Sequence, residues 1–176
     1  MLLLAFFCLH LYCLWHSLLL IQEEIMELFN EKMTKFCKIK NWNQAVHEGV
    51  RILVENKKAT YDLEKAIMEQ TAKYGAYYVL EEGVALLHAP VGDYCLEVGT
   101  SILVLDEMIT FNNQKNKKAK IIITLSAPNS NDHIALIQEF GLFFGNSDFK
   151  KEIYASRTIK EFYQIINKYR GIKNEH

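Results

Sequence analysis

Apolar positions along the chain follow a helical rhythm up to Gly75 and a strand-like rhythm after it. Over residues 42–55 they recur every three or four positions, which predicts a helix, and Asn41 precedes it as a cap. The same spacing predicts a helix from residue 61 to about 74, ending before Gly75. A shorter pattern of this kind covers residues 25–36, where we also expect a helix.

Short apolar runs rich in β-branched residues dominate the middle of the chain. They predict strands at 77–80, 84–87, 98–106 and 120–125, separated by polar turns. Helical spacing returns over 132–144 and again after Ser156. Helices, then strands, then helices predict an α/β fold in which a mixed central β-sheet carries helices on both faces.

The first 22 residues contain no Asp, Glu, Lys or Arg. As a helix this segment would measure about 30 Å, enough to cross a bilayer core. His10 and His16 interrupt it, and it lacks the basic start and small-residue cleavage site of a signal peptide. Three interpretations stay open: a membrane anchor, a helix packed on the domain or a partner, or translation that starts at Met26. We therefore separate an apolar extension, residues 1–25, from a functional domain, residues 26–176.

Composition narrows the class of protein. With 176 residues, half of them apolar, and only two prolines, the chain suits one globular domain. A net charge of −1 without a basic stripe argues against nucleic-acid binding. The four cysteines show no C-x-x-C spacing, which indicates reduced thiols of a cytosolic protein rather than a metal site or a disulfide scaffold; they are Cys8, Cys13, Cys37 and Cys95.

Two histidines carry the candidate chemistry. His88 follows the strand predicted at 84–87, and His133 lies where the strand at 120–125 leads into a helix. If those strands are neighbours, both imidazoles converge on one sheet edge, beside a helix N-terminus that favours a phosphoryl group. A neutral imidazole is a nucleophile near pH 7, and a second one can donate a hydrogen bond. A single histidine at a strand end more often has a hydrogen-bonded structural role, and it is the pair at corresponding positions that makes the two roles comparable.

Two stretches resemble one family. Residues 74–89, YGAYYVLEEGVALLHA, resemble the signature around the phosphorylated histidine of the EIIA components of sugar phosphotransferase systems, mannitol/fructose type. Residues 125–137, LSAPNSNDHIALI, are similar to the second motif of that family, and the likeness spans about 26–170. It is closest to the ascorbate-type branch and to EIIA-like domains of PRD-containing sugar-operon regulators. The resemblance implies the three-layer mannitol-type EIIA fold, with His88 as nucleophile and His133 as its assistant.

The same resemblance implies partners. Phosphohistidine HPr would donate to His88, and a cysteine of EIIB would accept the group for uptake of a carbohydrate, ascorbate or a polyol, through the membrane permease EIIC. It implies no metal and no organic cofactor, and a cytoplasmic location in a bacterium. The alternative is an EIIA-like regulatory module whose phosphorylation controls a transcription regulator or another partner. A third interpretation, a membrane-anchored binding protein, depends on residues 1–22 alone.

Two positions depart from the family pattern. Leu87 stands where many members have proline, which changes backbone stiffness just before the nucleophile. Pro90 stands where many have arginine or another basic residue. We expect the loss of that charge to weaken phosphoryl binding or to favour a regulatory role over a transport role.

Overall fold

A four-stranded mixed sheet forms the centre of the protein. The computed structural model describes residues 28–173. The strands are β1 (Thr34–Cys37), β2 (Gly83–Leu87), β3 (Gly99–Thr110) and β4 (Lys118–Ser126), in the order β1-β3-β4-β2. The central pair β3 and β4 is antiparallel, whereas β1 runs parallel to β3 and β2 parallel to β4. The mixed sheet predicted from the sequence is confirmed.

Helices cover both faces of this sheet. One layer holds α1 (Trp42–Glu55) and α2 (Asp62–Tyr74), and the other holds α3 (Ser130–Phe144), α4 (Ser147–Ala155) and α5 (Ile159–Lys173). Asn41 caps α1 as predicted, its side chain accepting a hydrogen bond from the Gln44 amide at 2.9 Å. The structure is thus the three-layer arrangement that the sequence predicts.

Alternating side chains of the strands divide the core into two parts. In β2, Ala85 and Leu87 pack toward α1 and α2, while Val84 and Leu86 pack toward α3, α4 and α5. The second part is rich in phenylalanine, with the Phe29 ring 4.8 Å from that of Phe143. Because every residue of β2 is buried, this edge strand is held firmly up to the residue before His88.

One helix approaches the sheet unusually closely. The carbonyl of Gly49 in α1 accepts a hydrogen bond from the buried Ser101 hydroxyl at 2.7 Å. A Cβ added at Gly49 would lie 2.2 Å from the Thr124 hydroxyl, so only glycine fits at this position. The contact seats α1 directly on β3 and β4, and β4 carries the chain toward His133.

The predicted helix at 25–36 is wrong within the described residues. There the chain forms a 3₁₀ turn, Glu31–Met33, followed by β1. Asn30 caps this turn, its side chain accepting a hydrogen bond from the Lys32 amide at 3.0 Å. Parallel pairing with β3 then gives Thr34–Cys37 backbone hydrogen bonds along one side, and this long-range contact outweighs a weak helical pattern.

The predicted strand at 77–80 is also wrong. These residues form a turn, in which the Val79 amide donates to the Ala76 carbonyl at 3.2 Å. The turn lies along the free edge of β2, because the Tyr78 carbonyl accepts a hydrogen bond from the Leu86 amide at 3.0 Å. Residues 77–80 therefore form a turn that covers the edge of β2, although their own propensity favours a strand.

The sequence pattern also missed a short helix, α4, whose nine residues bury only Phe149 and Ile153. The other predicted elements are present with ends shifted by a few residues. Within residues 28–173 no helix has the length and apolar character needed to cross a bilayer. The apolar segment 1–22 lies outside the described residues.

A histidine pair at the carboxyl edge of the sheet

The carboxyl ends of β2 and β4 meet at one edge of the sheet. The two strands are parallel neighbours, with Leu87 paired to Thr124, so the residues that follow them lie side by side. His88 comes directly after β2. After β4 the chain turns into α3, whose first turn carries His133 and is capped by Asn129. The neighbouring strands that the sequence argument required are therefore present.

The two imidazoles share a cavity. Their ring centroids are 5.5 Å apart, with an interplanar angle of 74°. The cavity has a volume of about 480 Å³, and both rings are partly buried in its wall. Its other lining residues are Gln70, Tyr74, Tyr77, Ala89 and Pro90. A phosphoryl group is small enough to enter a space of this size.

A hydrogen bond determines the tautomer of His88. Its Nδ1 lies 2.7 Å from the carbonyl oxygen of Leu86. Because a carbonyl only accepts, Nδ1 must carry the hydrogen, and Nε2 of the neutral ring keeps its lone pair. The nucleophilic atom of His88 is therefore Nε2.

Tyr77, in the turn that follows α2, contacts both the backbone and the ring of His88. Its hydroxyl donates a hydrogen bond of 2.6 Å to the His88 carbonyl, and its ring meets the His88 ring edge-to-face at 5.1 Å. Burial raises the pKa of Tyr77 to about 12, so its hydroxyl stays protonated and remains a donor. Backbone and ring of His88 are thus each fixed by a neighbouring group.

Burial favours the neutral form of both histidines. It is the main cause that places the pKa of His88 below its ordinary value; the hydrogen bond to Leu86 opposes this shift, and the nearby His133 adds to it. Burial also lowers the pKa of His133. At pH 7 the site therefore contains a neutral nucleophile next to a second neutral imidazole, which is an arrangement suited to group transfer.

The other histidine and cysteine side chains of the described region lie elsewhere. His47 is on α1, where its Nδ1 is 2.9 Å from a Glu64 carboxylate oxygen and its ring stacks on Tyr61. Cys37 and Cys95 are free thiols outside the cavity. No cluster of three or more metal-binding side chains occurs within residues 28–173.

The two departures noted in the sequence have different consequences. Leu87 is fully buried in the core and does not line the cavity, whereas Pro90 lies in the cavity wall. The described lining residues include no Lys or Arg. Sequence reasoning did not identify Gln70 as part of this wall, because one polar residue on an amphipathic helix gives no signal distinct from solvent exposure.

Comparison with known families decides the classification. The model of the family described as "Phosphoenolpyruvate-dependent sugar phosphotransferase system, EIIA 2" matches residues 27–169. The chain belongs to this EIIA family. Membership makes the protein a component of a sugar phosphotransferase system with phosphotransferase chemistry in general, as the resemblance implied.

Individual relatives agree with that assignment. An ascorbate-specific EIIA component from Salmonella choleraesuis is 28% identical over 129 residues, which is 72% of this chain and 83% of the relative. The fold is shared with the mannitol-specific cryptic enzyme IIA CmtB of Escherichia coli, with a TM-score of 0.70 at 24% identity, covering 80% of this chain and 95% of CmtB.

A further EIIA structure was determined together with its partner. The complex of enzyme IIA and phosphorylated enzyme IIB for mannitol from Escherichia coli has a TM-score of 0.68 at 17% identity, covering 80% of this EIIA chain and 97% of the other. The three-layer mannitol-type fold expected from the resemblance is thus confirmed. In that complex the mannitol enzyme IIA is bound to phosphorylated enzyme IIB.

Proposed function

We propose that the protein accepts a phosphoryl group on Nε2 of His88 from phosphohistidine HPr and passes it to a cysteine of EIIB. The observation that carries the proposal is the hydrogen bond from Nδ1 to the Leu86 carbonyl, at 2.7 Å. It leaves Nε2 as the only nitrogen of the ring with a free lone pair, in a residue that lines the cavity.

The two transfers balance as in-line displacements. In the first, the Nε2 lone pair forms a bond to phosphorus while the phosphorus–nitrogen bond of phospho-HPr breaks and its electron pair returns to the HPr imidazole. The ring of His88 then carries a positive charge, which the Leu86 carbonyl stabilises through the Nδ1 hydrogen. In the second, the EIIB thiolate attacks phosphorus, and the electron pair of the breaking bond returns to Nε2.

His133 is the assisting residue in this proposal. Its ring is 5.5 Å from that of His88, and its side chain makes no hydrogen bond within residues 28–173. One of its nitrogens is therefore available to donate to a phosphoryl oxygen as charge shifts during transfer. Its place in the first turn of α3 adds the positive end of a helix dipole, which also favours the phosphoryl group.

The transported compound is proposed from the named relatives. The 28% identical relative is named as specific for ascorbate, so we propose ascorbate uptake through EIIB and a membrane EIIC permease, with a polyol as the next class. The proposal assigns the phosphocarrier domain to residues 26–176, consistent with the family match at 27–169, and places it in the cytoplasm where HPr acts.

Phosphoryl mapping on the full chain tests the assignment of His88. The protein is incubated with phosphoenolpyruvate, enzyme I and HPr, and the label is located by mass spectrometry. We expect an acid-labile, base-stable phosphate on His88, and none in the His88→Ala variant. His47→Ala is the matched control, because His47 is exposed and lies outside the cavity.

Two results would contradict the proposal. Equal labelling of wild type and His88→Ala would show that another residue is the nucleophile. A label on His88 that no EIIB accepts would favour the regulatory module, in which phosphorylation changes affinity for a partner. Rapid transfer of the label to an EIIB cysteine supports the transport role.

A further inference from the structure

One polar side chain in the wall of the His88 cavity has no part in the steps above. Gln70, on α2, is half-buried and lines the cavity together with His88 and His133. Among residues 28–173 its side-chain amide makes no hydrogen bond. A glutamine amide offers two N–H donors. The cavity therefore holds an unused donor on the wall shared with the nucleophile.

Cations are missing from the described wall of the cavity. None of its lining side chains is Lys or Arg, and Pro90 lies there instead of a basic residue. Lys73, also on α2, has its Nζ over the ring of Tyr74, 4.9 Å from the centroid, and does not line the cavity. A dianionic phosphoryl group on His88 would thus meet neutral donors.

Gln70 is placed on a rigid part of the molecule. Ile67 before it and Thr71 after it are buried, and the Thr71 hydroxyl donates to the Ile67 carbonyl at 2.7 Å and contacts the Tyr78 hydroxyl at 3.2 Å. These contacts tie α2 to the turn that carries Tyr77, and Tyr77 holds His88. The donor and the nucleophile are therefore held in one packed unit, as a binding site requires.

We infer that Gln70 donates its amide N–H to a phosphoryl oxygen on His88. Neutral donors then bind the phosphoryl group in a cavity whose described wall has no Lys or Arg. This inference rests on the proposed function of His88. A guanidinium or ammonium donor would add a Coulomb attraction to the phosphoryl dianion that a neutral amide donor lacks. Neutral donors stabilise the phosphorylated intermediate less, which suits a carrier that must release the group again.

Substitutions that remove the amide or change the charge at position 70 test this inference. Full-length Gln70→Ala, Gln70→Glu and Gln70→Arg are compared with wild type for the initial rate of His88 labelling and for the hydrolysis rate of the phosphorylated form. Gln164→Glu, at an exposed position of α5, is the matched control for the charge change. In addition, the side-chain amide signal of Gln70 is followed by nuclear magnetic resonance while phosphoramidate, a small-molecule donor, phosphorylates the protein.

We expect labelling to fall about tenfold in Gln70→Ala, the effect of one lost hydrogen bond of roughly 1.4 kcal/mol. Gln70→Glu should fall further because its carboxylate repels the phosphoryl group, while Gln164→Glu keeps the wild-type rate. Gln70→Arg should lengthen the lifetime of phosphohistidine severalfold. Unchanged rates in both Gln70→Ala and Gln70→Glu, or an amide signal that does not shift on phosphorylation, would overturn the inference.

The two donors separate this inference from the proposed function. Labelling by phosphoramidate but not by phospho-HPr would refute HPr as the phosphoryl donor. In that case the shift of the Gln70 amide signal would still show whether Gln70 contacts the phosphoryl group. Labelling of the wild type by phospho-HPr with no effect at Gln70 would refute the contact alone. Absence of label on His88 with either donor would overturn both.

Discussion

The two ends of β2 differ in how they are packed. The end at Gly83, called the pinned end, is fixed to α4, whereas the end after Leu87, called the open end, borders the His88 cavity. Before the strand, a Glu81 carboxylate oxygen bonds to Lys150 Nζ at 2.7 Å. Gly83 adopts a φ of +111°, and the Tyr154 ring packs so tightly that a Cβ there would lie 2.6 Å from it. After the strand, His88 faces two side chains, His133 and Gln70, that make no hydrogen bond within the described chain.

The two ends use polar groups for different purposes. At the pinned end, an ion pair and a closely packed ring fix where β2 begins, even though the Tyr154 hydroxyl is buried without a hydrogen-bond partner among residues 28–173. At the open end, the side chains of His133 and Gln70 have no hydrogen-bond partner within the described chain, which leaves them available to the proposed phosphoryl group. The difference teaches that rigidity is supplied from one end of a short strand so that the other end can hold a preorganised, incompletely satisfied site.

Removing the assisting imidazole tests the open end most severely. We expect His133→Ala to slow labelling of His88 about 100-fold, the cost of one lost transition-state donor, without changing the fold. Initial rates with phospho-HPr measure the effect, and His133→Asn, which keeps a donor, should recover part of the loss. A wild-type rate in His133→Ala would show that the ring has no assisting role.

A methyl group at Gly83 tests the pinned end. Gly83→Ala adds a side chain to a backbone with positive φ and forces it against Tyr154, so we expect a loss of about 2 kcal/mol in the free energy of unfolding. Urea denaturation measures it. In Gly141→Ala the new Cβ meets nothing within 4 Å, and helix propensity predicts a gain of up to about 1 kcal/mol. An equal response of the two variants would contradict the close packing at Tyr154.

Much of this architecture was predictable because its signals are local. β2 and β4 are runs of mostly buried residues, and α1 has a regular apolar stripe and a cap. His88 directly follows β2, and His133 lies in the first turn of the helix that follows β4. The errors have a common cause in long-range pairing. β1 is a strand because β3 offers it an edge, and residues 77–80 form a turn because the edge of β2 needs a cover.

The detail of the site was less predictable for the same physical reason. The tautomer of His88 depends on how the chain bends after Leu87 so that the ring reaches the Leu86 carbonyl. Gln70 becomes notable only when α2 is packed against the turn that carries Tyr77 and faces the cavity. Residue spacing predicts which face of a helix is apolar, but it does not show which polar residue at the boundary borders a cavity.

Removing the Tyr77 hydroxyl measures how much the positioning of His88 contributes to the labelling rate. Tyr77→Phe keeps the ring contact but loses the 2.6 Å hydrogen bond to the His88 carbonyl. A loss of about 1 kcal/mol predicts a labelling rate about fivefold lower at saturating phospho-HPr, with an unchanged KM. Tyr61→Phe, at an exposed tyrosine outside the cavity, is the control. A higher KM with an unchanged maximal rate would mean that Tyr77 serves docking instead.

The ion pair at the pinned end should matter least. Lys150→Met keeps the length of the side chain but removes the partner of Glu81 Oε2. The Glu81 side chain is 38% exposed, and its buried Oε1 already lacks a hydrogen-bond partner among residues 28–173, so the substitution leaves that oxygen as it was. We therefore expect a loss of only about 0.5 kcal/mol in the free energy of unfolding, and a smaller loss at 1 M salt because the pair is then screened. Labelling of His88 should not change, since β2 separates the two ends by about 13 Å. A slower labelling rate in Lys150→Met at full stability would show that the two ends of β2 are coupled, and the division of roles between them would then be wrong.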